Sequence, residues 1–187
     1  MNLMTEVRLH GRGGQGVVSA SRLIAEAAVL EGKYVQAFPE FGAERSGAPI
    51  AAYSRLSDEP IEIHSFIYTP NVVVVVDRSM AASPNTIVGL MKDGSFVSNF
   101  DGSPAELRSK LGLGSDVKVF AVDATGVALK TLGRDFPNTP IMGALVKATQ
   151  IVNFESMNKA ITSRFKGAIQ ASNAEALRLG YETVKAG

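Results

Sequence analysis

A chain of 187 residues with 45% hydrophobic and 20% charged side chains has the composition of an ordinary globular protein, and a single domain over residues 1–187 is expected. A net charge of +1 excludes an overall field that would draw in nucleic acid or an anionic membrane. The absence of cysteine excludes disulfides, thiolate zinc sites and a cysteine-ligated iron–sulfur cluster in this chain.

In chain order, Val7-Arg8-Leu9-His10 reads as a short strand running into a glycine-rich turn. Val17, Leu23, Ile24, Ala27, Ala28 and Leu30 then recur at helical spacing as far as Gly32. Tyr34 to Phe38 resembles a second strand stopped by Pro39, and Phe38 to Pro49, rich in glycine and proline without a period, predicts a long ordered loop. Ile50 to Leu56 and Ile61 to Phe66 flank Ser57-Asp58-Glu59-Pro60 and predict two extended segments, an antiparallel insertion in the sheet. Val72 to Val76 is β-branched and continuous, the pattern of a strand covered on both faces.

A helical stretch is expected around Thr86 to Met91, a turn at Lys92-Asp93-Gly94 and a strand from Ser95 to Phe100. Ser103-Pro104-Ala105-Glu106 places a cap, a first-turn proline and a third-position glutamate at the start of a short helix. Val117 to Val122 gives one more strand. Ala124 to Leu132, Ile141 to Val152 and Ser156 to the C-terminus read as mostly helical, with no further strand obvious. Strands alternating with helices predict an α/β fold of three layers, α/β/α, around a mostly parallel, mixed central sheet, a Rossmann-like variant. No stretch reaches the roughly 18 apolar residues of a membrane span, and the N-terminus has no basic segment followed by a long apolar run, so a cytoplasmic location without membrane contact is expected.

Gly11-x-Gly13-x-x-Gly16 matches the dinucleotide-binding pattern and lies between a strand and a helix, where that pattern must be. Glycines permit the tight turn and close approach, and free amides at a helix start attract phosphate; a tight turn with no ligand is the plainer alternative. An NAD or flavin site also calls for an acidic residue about 20 positions on, at the end of the second strand. Glu40 is available there, but the adjoining proline, the long loop and Arg12 inside the turn depart from the fingerprint.

Three separated segments, Gly11-Arg12-Gly13-Gly14-Gln15-Gly16-Val17, Pro39-Glu40-Phe41-Gly42-Ala43-Glu44-Arg45-Ser46-Gly47-Ala48-Pro49 and Asn138-Thr139-Pro140-Ile141-Met142-Gly143-Ala144-Leu145, resemble in order the gamma subunit of pyruvate:ferredoxin oxidoreductase (pyruvate synthase). The resemblance runs nearly end to end. It implies a non-redox subunit of a 2-oxoacid:ferredoxin oxidoreductase, with pyruvate as first choice of 2-oxoacid. Alpha, beta and delta partner subunits would hold thiamine diphosphate with Mg and the 4Fe-4S iron–sulfur clusters, and pass electrons to ferredoxin. This chain would pack against them and help to seat coenzyme A, supplying no catalytic residue and no metal ligand. The other reading is a free-standing Rossmann-like oxidoreductase that binds NAD or a flavin.

On the first reading, the candidate coenzyme A or interface residues are Gly11, Arg12, Gly13, Gly14, Gln15, Gly16 and Arg45. Guanidinium forks match phosphate and carboxylate bidentately, and both arginines sit in glycine-rich loops. For Arg12 a ligand role and an interface salt bridge stand even, whereas Arg45 leans to the interface and Glu44 to an ion pair. His10 is expected to be structural, since no second ligand lies nearby in sequence, and His64 to be exposed. Asp77 and Asp123 end strands where ligands often bind, but helix capping is preferred. Asn138-Thr139-Pro140 starts a helix in which Thr139 is a candidate cap, and Ile141, Leu145 and Val146 are core or subunit-contact positions.

Overall fold

The computed structural model describes residues 4–40 and 47–187. The strands β1 (Thr5–Arg12), β2 (Tyr34–Pro39), β3 (Pro49–Ser57), β4 (Val72–Val75), β5 (Ser95–Asn99), β6 (Lys118–Val122) and β7 (Lys185–Ala186) form one sheet in the order β2-β3-β1-β4-β5-β6-β7. β1, β4, β5 and β6 are parallel; β3 runs antiparallel between β1 and β2, and β7 is an antiparallel edge. The helices are α1 (Val17–Leu30), α2 (Pro104–Leu111), α3 (Ala124–Leu132), α4 (Asn138–Thr149), α5 (Phe154–Thr162) and α6 (Gly167–Thr183). This is the α/β architecture with a mixed sheet that the alternation of strands and helices predicts.

The two faces of the sheet are built differently. On one, Val7, Leu9, Val72, Val74, Val97 and Val122 pack against α1, α4, α5 and α6 through residues such as Leu23, Ile24, Ile141, Leu145, Met157, Ile161 and Leu177, all buried. On the other, Val73, Val75, Phe96 and Val119 meet one α-helix, the short α2, through Leu107 and Leu111, and the irregular chain between β4 and β5 through Ala81, Ile87 and Leu90. Ser103 caps α2 by accepting from the Glu106 amide (3.1 Å), with Pro104 in the first turn, as its sequence predicts. No helix covers β2, β3 and β1 on this second face; residues 58–70 cross it as irregular chain, with Ile67 packed on Ala51 and Tyr53.

Strand alternation explains why irregular chain lies there. With Val7 and Leu9 turned to the helices, β1 sends Glu6, Arg8, His10 and Arg12 to the other face, and its register aligns Glu6 with Arg55 and Arg8 with Tyr53 on β3. Arg55 is 1% exposed. Its guanidinium pairs with Glu6 (2.7 Å) and donates to Gln36 Oε1 (3.1 Å) and to the carbonyls of Ile63 (3.5 Å), Ser65 (2.8 Å) and Phe66 (3.3 Å). The Ile61 carbonyl accepts from Gln36 Nε2 (3.4 Å). The expected extended partner strand over Ile61 to Phe66 is therefore absent, because its carbonyls are taken by side chains rather than by a ladder.

The same arithmetic overturns the helix expected around Thr86 to Met91. Arg8, 7% exposed, donates to the carbonyls of Thr86 (3.2 Å) and Val88 (2.5 Å), and only a single 3-10 turn forms, at Pro84–Ile87. At the C-terminus the helical run divides at residues 163–166, ahead of Gly167 with φ +59°. The unforeseen β7 is two residues long and pairs with Phe120 and Ala121, too short for any alternation to announce it. No helix among the described residues is long and apolar enough to cross a membrane.

Removing one partner of a buried charge network costs about 3–5 kcal/mol. Arg55→Met is expected to destabilise the chain by about that amount in urea titrations, and amide exchange should quicken first across residues 61–66.

Candidate functional site

The chain leaves β1 through α1 on one face and leaves β4 through residues 76–94 on the other, so a crevice opens at the carboxyl ends of these adjacent parallel strands, where α/β folds place ligands. The glycine turn fills one side of it. Gly13 donates to the Ala48 carbonyl (2.9 Å) and Gly47 to the Gly13 carbonyl (3.3 Å), which fastens the turn to the end of the second motif. Gly16 has φ +76°, and a Cβ there would lie 2.7 Å from Asn138 Nδ2 and 2.9 Å from Phe136 Cζ. All three sequence motifs therefore meet at the turn, and Gly16 is required by close packing as well as by its backbone conformation.

The turn also satisfies several of its own donors. Gln15 N–H donates to the Arg12 carbonyl (3.1 Å), and the Arg12 amide donates to Gln15 Oε1 (2.9 Å). Gln15 Nε2 donates to Asp77, linking the turn to the end of β4. A Cβ at Gly11 would stand 2.5 Å from Val17, so this glycine too serves strand-to-helix packing, while Gly14 faces open space.

Asp77 is the hub of this corner. Its carboxylate accepts from the amide and the hydroxyl of Ser79 and from Gln15, and lies 3.5 Å from Arg12 Nε. Burial alone would push its pKa up, but the Ser79 and Gln15 hydrogen bonds and the Arg12 charge outweigh burial and hold it below the usual carboxylate range. The expected capping role is present, as is that of Asp123, which accepts from the Gly126 amide (2.9 Å). Arg12 also donates to Ser79 Oγ (3.1 Å) and to the Gly47 carbonyl (3.0 Å), so its tether is within the chain, yet its side chain keeps 39% exposure.

Beside Arg12 lies a cleft of about 500 Å³, lined by His10, Arg12, Pro39, Glu40, Ile50, Ser79, Met80, Ser83, Asn85 and Thr86 among others. His10 Nε2 accepts from Arg8 Nε (3.0 Å). Burial, then the Arg8 charge, lower the His10 pKa to about 4, with a hydrogen bond to the Thr86 backbone as partial offset. The imidazole is thus neutral at pH 7. Burial likewise lowers the pKa of Arg8, which has no carboxylate within 4.0 Å among the described residues. Burial and its hydrogen bond to Glu40 push the Tyr53 phenol up, keeping it protonated as the donor.

Several sequence expectations find their places here. His10 is tied into the framework and also lines the cleft; its pairing with Arg8 was visible as strand alternation but not as a motif. Glu40 ends β2 and reaches the cleft, but β3 intervenes between β2 and β1, which sets it one strand spacing, about 5 Å, farther from the turn than a dinucleotide-binding order would. Thr139 does not cap α4; its hydroxyl donates to Asn173 Oδ1 (3.0 Å) and the helix begins at Asn138. Ile141, Leu145 and Val146 are buried, and His64 is exposed. Arg45 and Glu44 lie outside the described residues.

The family model for pyruvate ferredoxin/flavodoxin oxidoreductase matches residues 6–183. The chain is 48% identical over 179 residues to the pyruvate/ketoisovalerate oxidoreductases common subunit gamma of Pyrococcus abyssi, covering 96% of each. It superposes with TM-score 0.89 and 44% identity on the crystal structure of pyruvate oxidoreductase subunit PORC from Thermotoga maritima, covering 98% of each chain. A 2-oxoglutarate:ferredoxin oxidoreductase from Magnetococcus marinus, solved with 2-oxoglutarate, coenzyme A and succinyl-CoA bound, shares the fold at 21% identity and TM-score 0.73. The match takes in 96% of this chain but 30% of that one.

Because His10 has its pKa lowered to about 4 on folding, the unfolded chain binds more protons between pH 6.5 and 4. The stability tied to this residue is present above pH 6.5 and is lost as pH falls toward 4, by at most about 3 kcal/mol. Urea midpoints across that range should fall less steeply for His10→Gln than for the native chain.

Proposed function

The chain belongs to the pyruvate ferredoxin/flavodoxin oxidoreductase family as the gamma subunit of a 2-oxoacid:ferredoxin oxidoreductase, and from that premise we propose that its cleft seats coenzyme A for acyl transfer. The observation that carries this reading is the crevice at the carboxyl ends of β1 and β4, where Arg12 keeps an exposed guanidinium in a lining that also holds the polar side chains of Ser83 and Asn85. A phosphorylated coenzyme needs such donors at one end and an apolar channel at the other. Met80, Ile50, Pro39 and Val18 line the channel side.

Within the turn, Arg12 and Gly14 are the proposed contacts, with Gly11, Gly13, Gln15 and Gly16 holding, by packing and hydrogen bonds, the loop that presents them. Arg45 is proposed to act at the same corner or at a subunit boundary. In the proposed division of labour the 2-oxoacid, pyruvate by the relatives' names, loses CO2 in a partner subunit with thiamine diphosphate and Mg. Iron–sulfur clusters held there would carry the two electrons to ferredoxin, and the coenzyme A thiol would take the acyl group with loss of its proton. This chain has no cysteine with which to ligate such a cluster, so the clusters are assigned to the alpha, beta or delta subunits. A single domain and a cytoplasmic assembly complete the proposal.

The NAD or flavin reading is disfavoured by β3, which separates Glu40 from the glycine turn. In the assembled enzyme, Arg12→Ala is expected to raise the coenzyme A KM roughly tenfold, the worth of one charge-assisted contact, and to leave coenzyme-independent decarboxylation unchanged. Unaltered coenzyme A kinetics would remove Arg12 from the site. A flavin spectrum or NAD affinity in the purified chain would favour the other reading.

A further inference from the structure

The part of the second sheet face that no helix covers also carries a cluster of exposed apolar side chains. Of the ten large apolar residues exposed among the described residues, five lie on two neighbouring loops of this face: Ile63, Phe66, Tyr68, Val88 and Met91. The loops are packed backbone to backbone. Met91 N–H donates to the Pro70 carbonyl (3.1 Å), and a Cβ at Gly89 would collide with the Tyr68 carbonyl. Phe66 extends the patch inward, its ring tilted against those of Tyr53 (ring centroids 5.6 Å) and Phe38 (6.3 Å). Tyr68 is 69% exposed and Val88 63%, although Arg55 holds the carbonyls of Ser65 and Phe66 ahead of Tyr68, and Arg8 that of Val88.

A rigidly held apolar surface rich in aromatic residues and methionine has the make-up of an interface centre. We propose that this patch docks a non-identical subunit of the oxidoreductase, the one that generates the acyl group. The family membership supplies the need for a partner, and in the Magnetococcus marinus enzyme the matching unit is 30% of a longer chain. Continuity chooses which partner. The 3-10 turn at Pro84–Ile87 contributes Asn85 and Thr86 to the cleft on one side and leads into Val88 of the patch on the other. A subunit seated on Tyr68 and Val88 therefore borders the mouth of the cleft, where the acyl donor must meet the coenzyme thiol; this choice of partner rests on the coenzyme A reading, whereas the surface itself does not. Glu62 beside Ile63, and Lys92 and Asp93 beside Met91, are exposed and leave one negative charge in excess, so the partner presents an apolar centre with lysine or arginine facing Glu62.

The test places the photo-crosslinker p-benzoylphenylalanine at Tyr68 in the complete hetero-oligomer and, as a comparison, at Ile169, an exposed position on α6. Illumination is expected to join Tyr68's position to the subunit that carries the 2-oxoacid chemistry, identified by mass spectrometry, with Ile169's position giving no such adduct. An adduct with a second copy of this chain, with another subunit, or with none while the assembly stays intact overturns the proposal. Tyr68→Asp together with Val88→Asp should release the subunit from the assembly while its circular dichroism is unchanged; retention overturns the proposal equally. Because coenzyme A kinetics are not the readout, failure here leaves the cleft reading standing, and failure of the cleft reading leaves the crosslink interpretable.

Discussion

Carbonyl groups of irregular chain that crosses a sheet face must find donors, and in this fold the donors are arginines. Arg55, Arg8 and Arg12 occupy three levels along the part of this face that no helix covers and bind, in turn, the carbonyls of Ile63, Ser65 and Phe66, of Thr86 and Val88, and of Gly47. A guanidinium offers five donors in a fixed fork, so one side chain can hold two or three carbonyls of a segment that makes no ladder and no helix. The desolvation of these cations is costly. It is offset for Arg55 by Glu6 at 2.7 Å and for Arg8 by neutral hydrogen-bond acceptors, one of which is a histidine kept uncharged by the same burial, with the more distant Glu40 carboxylate as a favourable charge.

This arrangement determines where a ligand and a partner can approach. A helical layer over β1, β3 and β2 would cover the carboxyl-edge crevice; loops pinned at their backbones leave it open and rigid. The glycine turn contributes to the wall of that crevice through Arg12 and to its stability through Gly16, packed on Asn138 and Phe136. Asp77 joins the wall to β4. Proposed coenzyme seat and proposed docking face are then two sides of one loop, residues 84–88.

Much of the fold was legible in the sequence because its signals are local. The continuous valines of β4, the Ser103-Pro104 helix start and the glycine turn between β1 and α1 all form as their patterns predict. What the pattern could not carry was competition for backbone carbonyls. Ile61 to Phe66 has the residues of a strand, and Thr86 to Met91 those of a helix, yet distant arginines on β3 and β1 claim their acceptors. The charged alternation on β1, Glu6, Arg8, His10 and Arg12 beside Val7 and Leu9, was the available sign: a central strand with one polar face implies that something other than an apolar helix covers it. The convergence of the three motifs at the glycine turn likewise depended on long-range contacts, of Gly16 with the start of α4 and of Gly13 with Gly47 and Ala48, which spacing does not reveal.

The central claim, that the arginine-pinned loops at the ends of β1 and β4 form the coenzyme seat, is most directly tested by hydrogen–deuterium exchange of the intact hetero-oligomer with and without coenzyme A. Added protection should appear in residues 11–14 and 79–86 of this subunit and vanish in the Arg12→Ala assembly. Coenzyme-dependent protection confined to other subunits, with these two segments unchanged, would contradict it.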